Sequence, residues 1–435
     1  MVTLAQVLFS IALSCAVGLF IRNIIHLKRN IKRGSAVDRT DQKANRWRNM
    51  FLVALGQSKM VNRPIAGLLH IIIYIGFVLI NIELLEIVLD GLFNTHRLFA
   101  PWLGSTYDFL IAVFEFLALG VLLTAILFWL RRNALRLSRF NKPEMKGWPK
   151  KDADNILYFE IVLMVLFLSM NATDHLLQIE QHPNYIQAGI FPVSQFLQPI
   201  FNGLSIPTLI LLERTFWWLH ILGILFFLNY LYYSKHLHIL LAFPNVYYAN
   251  LKPFGQFNVD QSIANEVRMM LNLPIKDQAP VDIPESFGAK DVSDLNWVQL
   301  MNAYSCTECG RCTSVCPANL SGKKLSPRKI MMDTRDRLEV LGKNKKNEPQ
   351  AEDKILLDGY ISRQEIWACT SCNACVEACP IAIDPLSIIM EMRKYVVLEE
   401  SAAPSELNNM MSNIENNGAP WPYSQQDRLL WSETN

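Results

Sequence analysis

The sequence predicts a mainly α protein: a bundle of five membrane-spanning helices followed by a compact helical domain outside the bilayer. Three observations carry that prediction. Five apolar stretches are each long enough to cross a membrane. The segments between them alternate between rich in Lys and Arg and nearly free of them. No comparable apolar run follows Phe254, and the later part of the chain instead holds eight of the nine cysteines in two tight groups. Composition agrees: 51% of residues are hydrophobic, 18% are charged, and the mean hydropathy is +0.17. Those values are high for a soluble protein. The formal net charge of +2 gives no general basic surface for nucleic acid.

The spans are expected near residues 3–21, 64–89, 107–130, 155–171 and 206–234. The first begins at Val2 with no basic residues before it, and Arg22, Lys28 and Arg29 follow it. That order describes an uncleaved anchor with its N-terminus outside. Residues 22–63 carry eleven Lys/Arg against Asp38 and Asp41, and residues 131–152 carry eight against Glu144 and Asp152. The segments 91–106 and 172–205 hold Arg97 alone. Positive segments stay inside, so the expectation is a multi-pass inner-membrane protein with its C-terminal half in the cytoplasm. Residues 187–204, broken by Pro192, Pro199 and Gly203, read as an interfacial helix. Trp102, Trp148, Trp217 and Trp218 suit aromatic belts. Glu83, Glu86, Glu115 and Glu160 fall in or beside spans, where carboxylates mark proton or quinone sites.

The domain boundaries follow. Residues 1–254 form the membrane domain, and 255–300, with Pro274, Pro280 and Pro284, form a polar linker. Residues 301–400 form the cysteine domain, with helices expected at 326–340, 362–368 and 385–399. The Ser326-Pro327 pair fits an N-cap and first helical position. Residues 401–435, rich in Asn, Ser and Pro, read as an extended tail suited to docking a partner. Cys15 stands apart in the first span and is expected to be a buried small hydrophobe.

The other cysteines carry chemistry. Cys306, Cys309, Cys312 and Cys316-Pro317 make one C-x2-C-x2-C-x3-C-P motif; Cys369, Cys372, Cys375 and Cys379-Pro380 make a second. Three closely spaced thiolates wrap three corners of an iron–sulfur cube, and the fourth reaches the other cube. This assigns one [4Fe–4S] cluster to Cys306, Cys309, Cys312 and Cys379, and another to Cys369, Cys372, Cys375 and Cys316. Zinc sites more often use pairs of cysteines. Such clusters transfer single electrons, and iron-bound thiolates need a reducing compartment, the cytoplasm. The domain resembles the α-helical ferredoxin type.

Histidines supply a second kind of site. His70 lies about two turns inside the second span, and His220 lies within the fifth, with His236 and His238 at its cytoplasmic end. An imidazole in hydrocarbon needs a partner, and a haem iron is one. His70 and His238 are expected at similar depth, as the axial pair of a haem b, with His236 as a substitute for His238. His220 and His238 lie 18 residues apart, five full helical turns, so they are expected to share a face, roughly 27 Å apart. His220 is then expected to serve a second, outer haem with His175, or with His96. Arg214 is expected to pair with Glu213 or with a haem propionate.

With five spans, an outside N-terminus and histidines on the second and fifth, the membrane half resembles the nitrate reductase gamma-subunit family. That family carries a further histidine on its second helix, and here none lies deeper in that span than His70. The whole chain resembles the membrane-bound iron–sulfur proteins of the heterodisulfide reductase and electron-transfer-flavoprotein:menaquinone oxidoreductase group. Asn417-Gly418-Ala419-Pro420-Trp421, with Arg428 and Trp431, resembles that group's linker into a cysteine-rich catalytic domain. The resemblance implies a separate cysteine-rich subunit and a flavoprotein or dehydrogenase donor. It also implies a membrane quinone oxidoreductase subunit that exchanges electrons with menaquinone or another quinone. A non-catalytic membrane anchor and a redox-driven ion pump are the alternatives; no dense in-span array of carboxylates and lysines supports the pump.

Overall fold

A computed structural model of the chain describes residues 3–257, 260–275, 286–343 and 354–433. Pro280 and Pro284 lie outside these residues. The described residues form helices and turns, with two isolated β-bridges.

Five helices are long and apolar enough to cross a membrane. They are α1 (Leu4–Ile31), α2 (Pro64–Phe93), α3 (Ser105–Asn133), α4 (Trp148–Ile179) and α5 (Ile206–Tyr230). The expected stretches 64–89, 107–130 and 155–171 lie wholly within α2, α3 and α4, α1 takes up all of 3–21 but its N-cap Thr3, and α5 ends short of residue 234. Local chemistry sets the ends. Thr3 and Gln6 close a capping box on α1, Pro starts or nearly starts α2, α4 and α5, and Asn94 ends α2 in the left-handed region.

The fifth span differs from expectation. It stops at Tyr230 in a tight turn, and Ser234 takes an extended conformation (φ −110°, ψ 162°) while its hydroxyl caps the N–H of His236. A new helix, α6 (His238–Tyr247), starts at His238. His220 and His238 therefore do not share a face of one continuous helix, because serine competes for the backbone there.

Long-range hydrogen bonds hold together the helix ends that lie away from the cysteine domain. Asp90 accepts from the N–H groups of Arg97 (2.9 Å) and Leu98 (3.2 Å), and Glu86 accepts from Phe99 N–H (2.8 Å). Asp108 accepts from Gly189 N–H (2.6 Å). Glu115 accepts from the N–H groups of Val193 (2.8 Å) and Ser194 (3.0 Å) and from the Ser194 hydroxyl. Loop amides at a membrane boundary need such acceptors. Buried Arg97 pairs with Asp174 at 2.5 Å and donates to Asn171 and Tyr107 (both 3.2 Å). Removing one partner of a buried ion pair typically costs about 3–5 kcal/mol. Glu86 and Glu115, expected as proton or quinone groups, thus hold the loops around Phe99 and Val193, and Glu83 is buried with an unpartnered Oε2. Residues 187–204 form a tight turn (Ser194–Phe196) and one helical turn (Gln198–Phe201) rather than a full interfacial helix. Trp217 is buried against Phe9, with ring centres 5.6 Å apart, and is not an interfacial belt residue. Cys15 is exposed on the outside of α1, where its small apolar side chain suits lipid, and not buried as expected.

The cysteine domain is built from α7 (Trp297–Ser305), α8 (Arg311–Val315), α9 (Pro327–Lys343), α10 (Arg363–Ala368), α11 (Ala374–Glu377) and α12 (Pro385–Leu398). Its core joins Leu300, Ala303, Ile330, Leu338, Ile388 and Met392. The same core includes Leu27 at the end of α1 and Tyr232, Leu237 and Leu241 after α5. Burying one such leucine contributes about 1.5–3 kcal/mol. Of the segment expected as a linker, Ala289, Val292 and Leu295 are almost fully buried in this core. The tail also departs from expectation. It forms α13 (Ser405–Asn417), in which Leu407, Met410, Met411 and Ile414 repeat at helical spacing and Gly418 (φ +66°) ends the helix.

Candidate redox sites

The two cysteine motifs fold alike. Glu308 and Gly310 in the first, and Ser371 and Asn373 in the second, occupy matching positions beside the cysteines, and all four have φ between +54° and +72°. The left-handed residues curl the backbone so that successive sulfurs face one centre. Gly310 has a further reason: a Cβ there would lie 2.6 Å from the Arg328 guanidinium.

The structure brings the cysteines together across the two motifs. Cys306, Cys309, Cys312, Cys375 and Cys379 line one cavity. The thiol neighbours of Cys375 are Cys369, Cys316 and Cys372. Burial pushes the Cys306 thiol up to about 12 and the Cys379 thiol up to about 11. Buried thiols in that state become thiolates by binding metal and releasing protons. Among the described residues no three His, Cys, Asp or Glu side chains stand close enough to hold a single metal ion.

The first set faces the membrane helices. The guanidinium of Arg311, next to Cys312, donates to the carbonyls of Lys59 (3.0 Å) and Met60 (3.3 Å). Lys59 reaches the carbonyls of Glu377 (3.4 Å) and Cys379 (3.5 Å), and Arg63 donates to the Ser314 hydroxyl at 2.5 Å. The segment 57–63 leads directly into α2. It tucks so close beneath α2 that a Cβ on Gly67 would lie 2.5 Å from the Met60 carbonyl oxygen. Arg311 lies within electrostatic range of both His70 and the sulfurs of Cys309 and Cys379. The second set lies away from this seam, and Cys372 is exposed.

His70 and His238 come together with ring centres 6.4 Å apart. Two imidazoles bound to opposite faces of one iron, at roughly 2 Å per bond, hold their ring centres about 6 Å apart. The His238 Nδ1–H donates to the Lys235 carbonyl at 2.8 Å, which leaves Nε2 as the acceptor. His70 Nδ1 is buried without a hydrogen-bond partner. The residues therefore fit a haem iron between them. His236 stacks edge-on beside His238, with ring centres 5.8 Å apart, and also has a buried unpartnered Nδ1.

The outer site has no such pair. His220 donates from Nδ1 to the Leu163 carbonyl at 3.0 Å and packs on Phe167. His175 lies twelve residues further along α4 from Leu163, roughly 18 Å. It stacks on Phe191 and meets Gln198 at 2.5 Å. His96 pairs with Asp174 at 3.2 Å. Neither meets His220. Arg214 pairs with Glu213 at 2.5 Å, and the Tyr185 hydroxyl donates to the same carboxylate at 2.9 Å. Sequence reasoning missed the outer polar network and the Lys235 carbonyl beside His238; Lys235 carries no motif, and the other pairings span up to 81 residues.

The family model of the 4Fe-4S dicluster domain matches residues 305–383. The cysteine domain is a ferredoxin-like 4Fe-4S domain. A probable iron-sulfur-binding oxidoreductase, FadF, from Bacillus subtilis is 25% identical over 98% of this chain and 60% of its own length. The EtfAB:quinone oxidoreductase of Syntrophomonas wolfei is 26% identical over 91% of this chain and 55% of its own. The chain is a homologue of these iron–sulfur oxidoreductases. A probable membrane-anchored ferredoxin from Chromohalobacter salexigens is 29% identical over 35% of this chain and 25% of its own length. Shorter stretches match heterodisulfide reductase subunits. The chain spans about three-fifths or less of the first two relatives. No solved structure matches it significantly.

Proposed function

We propose that this chain is a membrane electron-transfer subunit that passes electrons, one at a time, between a soluble redox partner and the quinone pool. The observation that carries the reading is the His70–His238 pair at the inner end of the helices, joined through Arg311 and residues 57–63 to the first cysteine set. In this reading Cys306, Cys309, Cys312 and Cys379 hold the membrane-side [4Fe–4S] cluster, and Cys369, Cys372, Cys375 and Cys316 hold the outward one. His70 and His238 hold one haem b. Clusters and haem supply one-electron transfer, and quinone chemistry needs two electrons and two protons.

Each part of the chain has a task in this arrangement. Exposed Cys372 marks the face that meets the soluble partner. Similarity to an EtfAB:quinone oxidoreductase favours a flavoprotein donor and menaquinone or another quinone as acceptor. The cysteine domain contacts the Lys- and Arg-rich segments. The Asn30 amide donates to Tyr304 at 2.8 Å, and Arg328 donates to the Arg139 carbonyl at 2.8 Å. That favours an inner-membrane protein with its N-terminus outside and its clusters in the cytoplasm.

The test is a visible spectrum of the detergent-purified protein mixed with a menaquinol analogue under argon. Reduction of haem and clusters is expected. A haem that dithionite reduces but quinol does not would leave a passive anchor. A second expectation concerns exposure: brief ferricyanide with chelator should remove the cluster at Cys372 first, so iron loss should pause at half. Loss of both clusters in one phase sinks that order.

A further inference from the structure

Lys235 touches both redox sites. Its carbonyl accepts from His238 Nδ1–H at 2.8 Å, and its ammonium reaches Glu308 at 2.7 Å. Glu308 lies between Cys306 and Cys309, is 3% exposed, and takes Arg335 at 2.9 Å on its other oxygen. The lysine is held from the membrane side as well. Asp152 accepts from its N–H at 3.0 Å, and the Pro149 carbonyl accepts from the ammonium at 2.8 Å. Asp152 is fixed in turn by the Tyr230 hydroxyl at 2.8 Å. One residue thus joins α4, the turn that ends the fifth span, the His238 imidazole and the first cysteine loop.

We propose that Lys235 is a positioning residue that couples the His238 imidazole to the cluster loop at Glu308. It rests on the reading of His70 and His238 as haem ligands. Two physical effects follow. The carbonyl fixes the ring's tautomer and orientation, as outer partners of metal-bound histidines do. The ammonium neutralises Glu308 beside the cluster, and a buried positive charge favours the more negative, reduced cluster. The residue therefore sets both the geometry of one site and the potential of the other. An arginine keeps the charge but changes the reach, and a methionine keeps the carbonyl but removes the charge.

The experiment uses the full-length purified protein, with haem and iron quantified, in the Lys235→Met, Lys235→Arg and Glu308→Gln variants. Redox titration by electron paramagnetic resonance reads the cluster potentials and the haem signal separately. Lys235→Met is expected to move the membrane-side cluster to a more negative potential, leave the Cys372-side cluster unchanged and, because the ammonium's bonds to Glu308 and the Pro149 carbonyl no longer pin the backbone that carries the carbonyl, shift the low-spin haem signal. Glu308→Gln, which removes the negative charge, is expected to move the same cluster the opposite way. Lys235→Arg is expected to retain most of the wild-type cluster potential. Identical cluster potentials and haem signals in wild type and Lys235→Met overturn the proposal and leave the haem reading standing. If Lys235→Met fails to fold, an unchanged potential in Glu308→Gln overturns it instead. A wild-type protein without haem overturns both.

Discussion

Changing His70 to alanine is expected to abolish the haem b absorbance of the purified protein while iron and acid-labile sulfide remain at two clusters per chain. The ring stands 6.4 Å from that of His238, and no second histidine lies on α2 to take its place. A haem held by His70 and His238 would lose one of its two protein ligands. His238→Ala should be less complete, because His236 lies beside it, with ring centres 5.8 Å apart. A double change at 236 and 238 should match His70→Ala. Reduced-minus-oxidised spectra with extracted haem per chain make the measurement, and an undiminished band in His70→Ala would refute the axial assignment. His220→Ala and His175→Ala should leave that band intact, since neither side chain meets another histidine.

The second large effect is expected at Cys375. Cys375→Ala removes a buried ligand from the set with Cys369, Cys372 and Cys316, so iron should fall by one cluster's worth. The damage should spread. In the proposed ligand sets Cys316 crosses from the first motif into this one and Cys379 crosses the other way, so each cluster would staple both motifs. Binding at a structural metal centre can contribute on the order of 10 kcal/mol to folding. Limited proteolysis should therefore cut between residues 301 and 400 in this variant and spare the wild type. Cys15→Ala is the matched control: that side chain faces lipid, and iron, haem and protease resistance should not change. Full iron content in Cys375→Ala would show that the ligand set is drawn wrongly.

The parts of this molecule that were legible in sequence are those set by short-range patterns. Five apolar runs become five long helices because length and hydropathy decide a span almost alone. The cysteine spacing predicted a two-cluster domain because each motif wraps its cube locally. The depth argument that paired His70 with His238 needed only their distance from the inner boundary, and the structure sets the two rings side by side. The companion argument, a shared helical face for His220 and His238, assumed an unbroken helix. A single serine, Ser234, breaks it. Contacts far apart in sequence could not be read. Nothing near Arg97 announces Asp174, and nothing near Glu115 announces Ser194. Trp217 looked interfacial because composition does not report which side of a helix meets Phe9. The tail hid a helix because its Asn-rich composition masked apolar residues at turns of 3.6.

The core that runs from Leu27 and Leu241 into Leu300 and Met392 makes this chain a poor shuttle. A tethered carrier that swings between stations would expose those leucines to water at each stroke. With that core packed, the first cysteine set and the paired imidazoles stay fixed relative to one another, so a cluster and a haem held there would keep one tunnelling distance. Turnover should then be indifferent to solvent viscosity on the membrane side, and only arrival of the soluble partner should slow as the medium thickens.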